Sequence, residues 1–81
     1  MLYKKRLGQH FIVDNNIIDK LVRHIAPSSK DILLEIGPGD GAMTMSLINK
    51  VKQMILIEKD ECLMETLRKI INVSPGSLII N

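Results

Sequence analysis

Two features of the sequence have residue types and spacing suited to chemistry. One is the run Glu35-Ile36-Gly37-Pro38-Gly39-Asp40-Gly41, and the other is Glu58, about 20 residues beyond its first glycine. Gly37, Gly39 and Gly41 let a backbone turn sharply and leave no Cβ between main chain and ligand. If a helix follows, the amides at its start can hold a ligand's polar end. Glu58 is the acidic partner expected at this distance, because one carboxylate accepts hydrogen bonds from two adjacent ribose hydroxyls. The pair therefore points to an adenosine-containing cofactor.

The loop also satisfies G-x-G-x-x-A through Ala42, so a dinucleotide remains an alternative. Charge separates the two. A dinucleotide would set its pyrophosphate against Asp40, whereas S-adenosylmethionine carries no phosphate and brings a sulfonium and an ammonium, which suit Glu35 and Asp40. A tight turn without a ligand is the plain structural alternative.

The elements needed to position these groups are legible in the apolar spacing. Ile17, Ile18, Leu21, Val22 and Ile25 share a helical face, with Asp14, Asn15 or Asn16 as the cap and Pro27-Ser28-Ser29 as the stop. Ile32–Ile36 reads as a buried parallel strand running straight into the glycine loop. Residues 42–49 predict a short helix with Ala42, Met45, Leu47 and Ile48 inward, and Met54–Ile57 predicts a second strand ending at Glu58. Asp60 should cap a third helix burying Leu63, Met64, Leu67, Ile70 and Ile71. After Ser74-Pro75-Gly76, residues 77–80 begin a third strand. Helix followed by β-α-β-α-β is the pattern of an α/β protein with a parallel sheet and right-handed crossovers. Ligands of such sheets bind at the carboxyl ends of the strands, and the chain ends where the third strand would deliver its own. A longer polypeptide is the expectation.

Eighty-one residues make one small domain at most, and 46% hydrophobic residues argue for a folded core rather than disorder. Cys62 is the only cysteine, which excludes an intrachain disulfide and a zinc cluster and fits a reducing cytoplasm. No apolar run reaches the roughly 18 residues of a membrane span, and no apolar stretch follows the basic N-terminus as a secretory signal requires. Met43, Met45, Met54 and Met64 read as core filler, and Tyr3 and Phe11 are too few aromatics for a base-stacking surface. Residues 1–30 hold six Lys or Arg against Asp14 and Asp19, whereas residues 31–81 hold five against seven acids. A basic front half suggests an anionic partner near the N-terminus, or simply a solvated lysine-rich arm.

Gly8-Gln9-His10-Phe11-Ile12 is not explained by periodicity; on its own it is a turn, two inward apolar groups and two polar groups before a helix. Taken with Lys4-Lys5-Arg6, Asp14, the glycine loop and Ile57-Glu58-Lys59-Asp60, it closely resembles the ribosomal RNA adenine dimethyltransferases of the KsgA/RsmA type; the Erm-type resistance methyltransferases are relatives with similar motifs. The resemblance covers nearly the whole chain, and the Gly-Gln-His-Phe segment is its specific part.

It implies a Rossmann-like, S-adenosylmethionine-dependent methyltransferase fold, truncated after the third strand: a basic arm over residues 1–14 and half of the methyltransferase domain over residues 15–81. The implied activity is dimethylation of the exocyclic N6 amine of two adjacent adenosines near the 3′ end of small-subunit ribosomal RNA, in the cytoplasm, on a precursor of the small ribosomal subunit, without metal or membrane. By the same resemblance Gln9, His10 and Ile12 border the methionine end of the cofactor. Glu35, Gly37 and Gly39 complete its binding loop, Glu58 holds the ribose, and Lys4, Lys5 and Arg6 face RNA phosphates. The family's acidic residue after the third strand, its Asn-Leu/Ile-Pro-Tyr/Phe motif and its C-terminal helical domain have no counterpart here, so no catalytic residue is assigned. Besides the dinucleotide oxidoreductase, a non-catalytic RNA-binding protein of the same fold remains as an alternative.

Overall fold

The structure is a computed structural model and describes residues 14–81. Gln9, His10 and Ile12, and the basic Lys4, Lys5 and Arg6, lie outside the described residues.

Helix α1 spans Asn15–Ile25. Asp14 caps it, its side chain accepting from the Asn16 amide at 2.8 Å, and Ala26 ends it in the left-handed region at φ 51°. Strand β1 (Ile32–Ile36) then leads into the glycine loop, from which helix α2 (Ala42–Leu47) emerges. Strand β2 is Gln53–Ile57. A single 3₁₀ turn, Glu61–Leu63, opens helix α3 (Met64–Ile71), and strand β3 is Leu78–Ile80. The three strands are parallel in the order β1-β2-β3.

The register sorts the side chains into two faces, because successive residues of a strand point opposite ways. Leu33 pairs with Met54, and Glu35 with Leu56 and then Ile79; this face joins one core with Ile18 and Val22 of α1, Leu47 of α2, and Leu67 and Ile71 of α3. All three helices therefore cover the same side. Met54, Leu56 and Leu67 are completely buried there.

The opposite face carries Ile32, Leu34, Ile36, Leu78 and Ile80, all exposed, Ile36 to 75%. Residues 14–81 thus cover only one face of strands whose apolar runs suit burial. An apolar strand shows that both faces suit burial, but not which of them its own neighbours in sequence will cover. Met45 departs from expectation: it lies on the outer side of α2 and is exposed, while Met54 and Met64 are core residues as expected.

Asp60 caps the turn into α3, its side chain accepting from the Cys62 amide at 2.9 Å. Asp60→Ala is expected to lower stability by about 1 kcal/mol, the usual cost of a lost N-cap. An unchanged denaturation midpoint would show that α3 starts without it.

Candidate functional site

The β1–β2 register places Ile36 opposite Ile57, so the glycine loop and Glu58 leave the sheet side by side at its carboxyl edge. Two backbone bonds fix this end. The Gly37 amide donates to the Ile57 carbonyl at 2.8 Å, and the Glu58 amide donates to the Ile80 carbonyl at 3.0 Å. The Asn81 side-chain amide adds a bond to the Glu58 carbonyl at 3.1 Å.

Glu58 is only 3% exposed, and its carboxylate ties the site together. One oxygen accepts from the Gly39 amide at 3.1 Å, across 19 residues of sequence, and the other from the Asp60 amide at 3.0 Å. Glu35, on the helix-covered face of β1, accepts from the Thr44 hydroxyl at 2.6 Å. Burial pushes its carboxyl above the ordinary range, and the Thr44 hydrogen bond works against that shift.

Four amides of the loop and the helix start are taken up within the chain. Gly37 donates to Ile57 and Gly39 to Glu58, while Gly41 donates to the Pro38 carbonyl at 3.0 Å. The Ala42 amide, at the start of α2, donates to the Asp40 side chain at 3.2 Å. Sequence reasoning expected amides turned outward to a ligand, whereas these four point inward and a carboxylate stands at the helix start. Gly37 (φ 67°) keeps one property of a ligand-facing position: among the described residues, a Cβ built on it would meet nothing within 4 Å.

The structure thus brings Glu35, Gly37, Gly39 and Glu58 to one end of the sheet. Thr44 and Asp60 are the members that sequence reasoning did not assign to the site. In the sequence Asp60 reads only as a cap, and nothing in the spacing marks Thr44. Among the described residues no group of His, Cys, Asp and Glu could hold a metal ion, and no helix is long and apolar enough to cross a membrane.

A glycine loop after the first of three parallel strands, with an acidic residue at the tip of the second, defines part of a Rossmann-like fold. Comparison with known proteins narrows that class. Residues 2–81 match the family described as ribosomal RNA adenine dimethylase. The chain is 47% identical over 66 residues to "Ribosomal RNA small subunit methyltransferase A" of Cupriavidus necator, covering 82% of this chain and 24% of that protein. With the protein of the same name from a Janthinobacterium species it shares 41% over 78 residues, covering 96% of this chain and 30% of the relative. The crystal structure of a dimethyladenosine transferase from Plasmodium falciparum superposes with a TM-score of 0.78 at 28% identity, covering 86% of this chain and 27% of that one. The chain belongs to the ribosomal RNA adenine dimethylase family. It spans between 24% and 30% of the length of these two relatives.

Proposed function

We propose that this chain forms the cofactor-binding part of an S-adenosylmethionine-dependent enzyme that dimethylates the N6 amine of two adjacent adenosines near the 3′ end of small-subunit ribosomal RNA. The family and the names of its relatives support the methyltransferase class and the RNA. The local observation that carries the choice of cofactor is the loop itself: the Gly37, Gly39, Gly41 and Ala42 amides are occupied internally, and the Asp40 carboxylate stands at the start of α2. A pyrophosphate needs free backbone donors at that helix start and would meet a carboxylate there instead. A cationic ligand without phosphate has no such conflict, so the dinucleotide reading loses its main contact.

In this reading Glu58 takes the ribose hydroxyls. A carboxylate offers about four acceptor positions, so a diol can be accommodated beside the backbone donors or in exchange for the Gly39 amide. Gly37 leaves open space for the ligand to approach the main chain. Its amide belongs to the sheet, so any polar contact from Gly37 comes from its carbonyl. Glu35 faces the cationic end, with Gln9, His10 and Ile12 bordering the methionine moiety and Lys4, Lys5 and Arg6 meeting RNA phosphates on a precursor of the small subunit in the cytoplasm.

Bound S-adenosylmethionine supplies an activated methyl group; the residues named here orient and hold it, which is the larger part of what a protein contributes to such a transfer. An adenine amine is a weak nucleophile and must be unstacked and held in line, a task to which no described residue is assigned.

Calorimetric titration of the full-length natural polypeptide should give saturable binding of S-adenosylmethionine within the usual enzyme range of about 1 μM to 1 mM. Labelled methyl groups should then pass to small-subunit RNA. Saturation with NADH and none with S-adenosylmethionine would overturn the cofactor. Binding of both RNA and cofactor without methyl transfer would overturn the activity.

A further inference from the structure

Thr44 occupies a position that its local surroundings do not call for. It is completely buried within a six-residue helix, where a β-branched residue has poor helix propensity and a buried hydroxyl needs a partner. Its neighbour Ser46 bonds back to the Ala42 carbonyl at 3.3 Å, the local solution for a helical hydroxyl. Thr44 instead reaches out of its helix to the Glu35 carboxylate at 2.6 Å, the length of a charge-assisted hydrogen bond. Valine would fill the same volume without a polar group to satisfy, so the hydroxyl is explained by what it does to Glu35.

That bond engages only one oxygen of Glu35. No hydrogen bond or ion pair to the second oxygen is present among the described residues. Glu35 lies two residues before Gly37, on β1 as it enters the loop. The Thr44 bond therefore fixes the carboxylate against α2 at the point where the glycine loop begins.

We propose that Thr44 is a positioning residue for cofactor capture: its buried hydroxyl holds one oxygen of Glu35 and so aims the other at the positively charged methionine end of S-adenosylmethionine. The proposal rests on the reading of Glu35 as a contact to that end. The bond also favours the charged form of Glu35 against the opposing effect of burial, as attraction to a cation requires.

The test uses the full-length natural polypeptide with Thr44→Val, Thr44→Ser, Glu35→Gln and the double variant Thr44→Val/Glu35→Gln. Each is titrated with S-adenosylmethionine and with methylthioadenosine, which keeps the nucleoside but lacks the charged end. Thr44→Val should weaken S-adenosylmethionine binding by about tenfold, the effect of losing one charge-assisted contact, and leave methylthioadenosine within about twofold. Thr44→Ser should restore the affinity, and Thr44→Val should add nothing once Glu35 is Gln.

Equal weakening of both ligands, or equal losses in both Glu35 backgrounds, would mean that Thr44 acts through packing and would overturn the proposal. Wild-type affinity in Glu35→Gln would also overturn it while leaving the methyltransferase reading intact. No binding of S-adenosylmethionine by the wild type would overturn that reading itself. The methylthioadenosine titration also shows whether each variant is folded, since it requires an intact loop and Glu58.

Discussion

Glu58→Gln should weaken S-adenosylmethionine binding by about 10- to 100-fold, the range expected when a charge-assisted hydrogen-bond acceptor is lost. The substitution keeps the volume of the side chain and changes only its charge and donor pattern. In the native site both oxygens accept from backbone amides, Gly39 on one side and Asp60 on the other. Glutamine has one oxygen, so its NH₂ group must face one of these N–H donors, and the ribose loses the carboxylate that accepts from two hydroxyls. Because Glu58 is buried, a stability loss of about 1–3 kcal/mol accompanies the unpaired donor. Titration calorimetry and chemical denaturation on the same samples separate the two effects. Wild-type affinity in the variant would remove Glu58 from the ribose.

Gly41→Ala should be more damaging to stability than Gly37→Ala, by about 2–4 kcal/mol in all, from a left-handed backbone penalty of 1–2 and an overpacking penalty of similar size. Gly41 has φ 87°, and a Cβ there would collide with Ile70 Cδ1 and lie 3.2 Å from Leu67 Cδ2. Leu67 is completely buried and cannot retreat, while Ile70 is half-buried and its terminal methyl can give way in part. Ile70→Val removes that methyl, so the double variant should recover the packing share of the loss and keep the backbone share.

Gly37→Ala is the contrasting case. It too has positive φ but no described residue crowds the new Cβ, so it should cost only about 1–2 kcal/mol and exert its main effect on ligand approach. Equal losses at Gly37 and Gly41, measured by chemical denaturation, would show that contact with α3 does not matter at Gly41.

Much of this was legible in the sequence because it is local. The apolar period over residues 17–25, the capping side chains of Asp14 and Asp60, and the run Ile32–Ile36 ahead of the glycines each depend on neighbours a few residues apart, and each element formed where it was expected. The spacing from Gly37 to Glu58 also survived, because a strand, a short helix and a second strand fix how far apart the two strand tips fall in the sequence. Three things were decided only by tertiary structure. Glu58 meets Gly39 across 19 residues, and that bond, with those of Gly41 and Ala42, turned the expected open amides of the loop inward. Thr44 pairs with Glu35 because α2 packs over the carboxyl end of β1, a contact that no periodicity encodes. The open apolar face of the sheet follows from all three helices crossing on one side. Sequence alone determined which elements form and which residue types stand at their ends, since propensity, capping and period act within a few residues. Which donors remain for a ligand, and which face remains for a partner surface, depend on bonds and packing between distant segments, which only the assembled sheet and helices define.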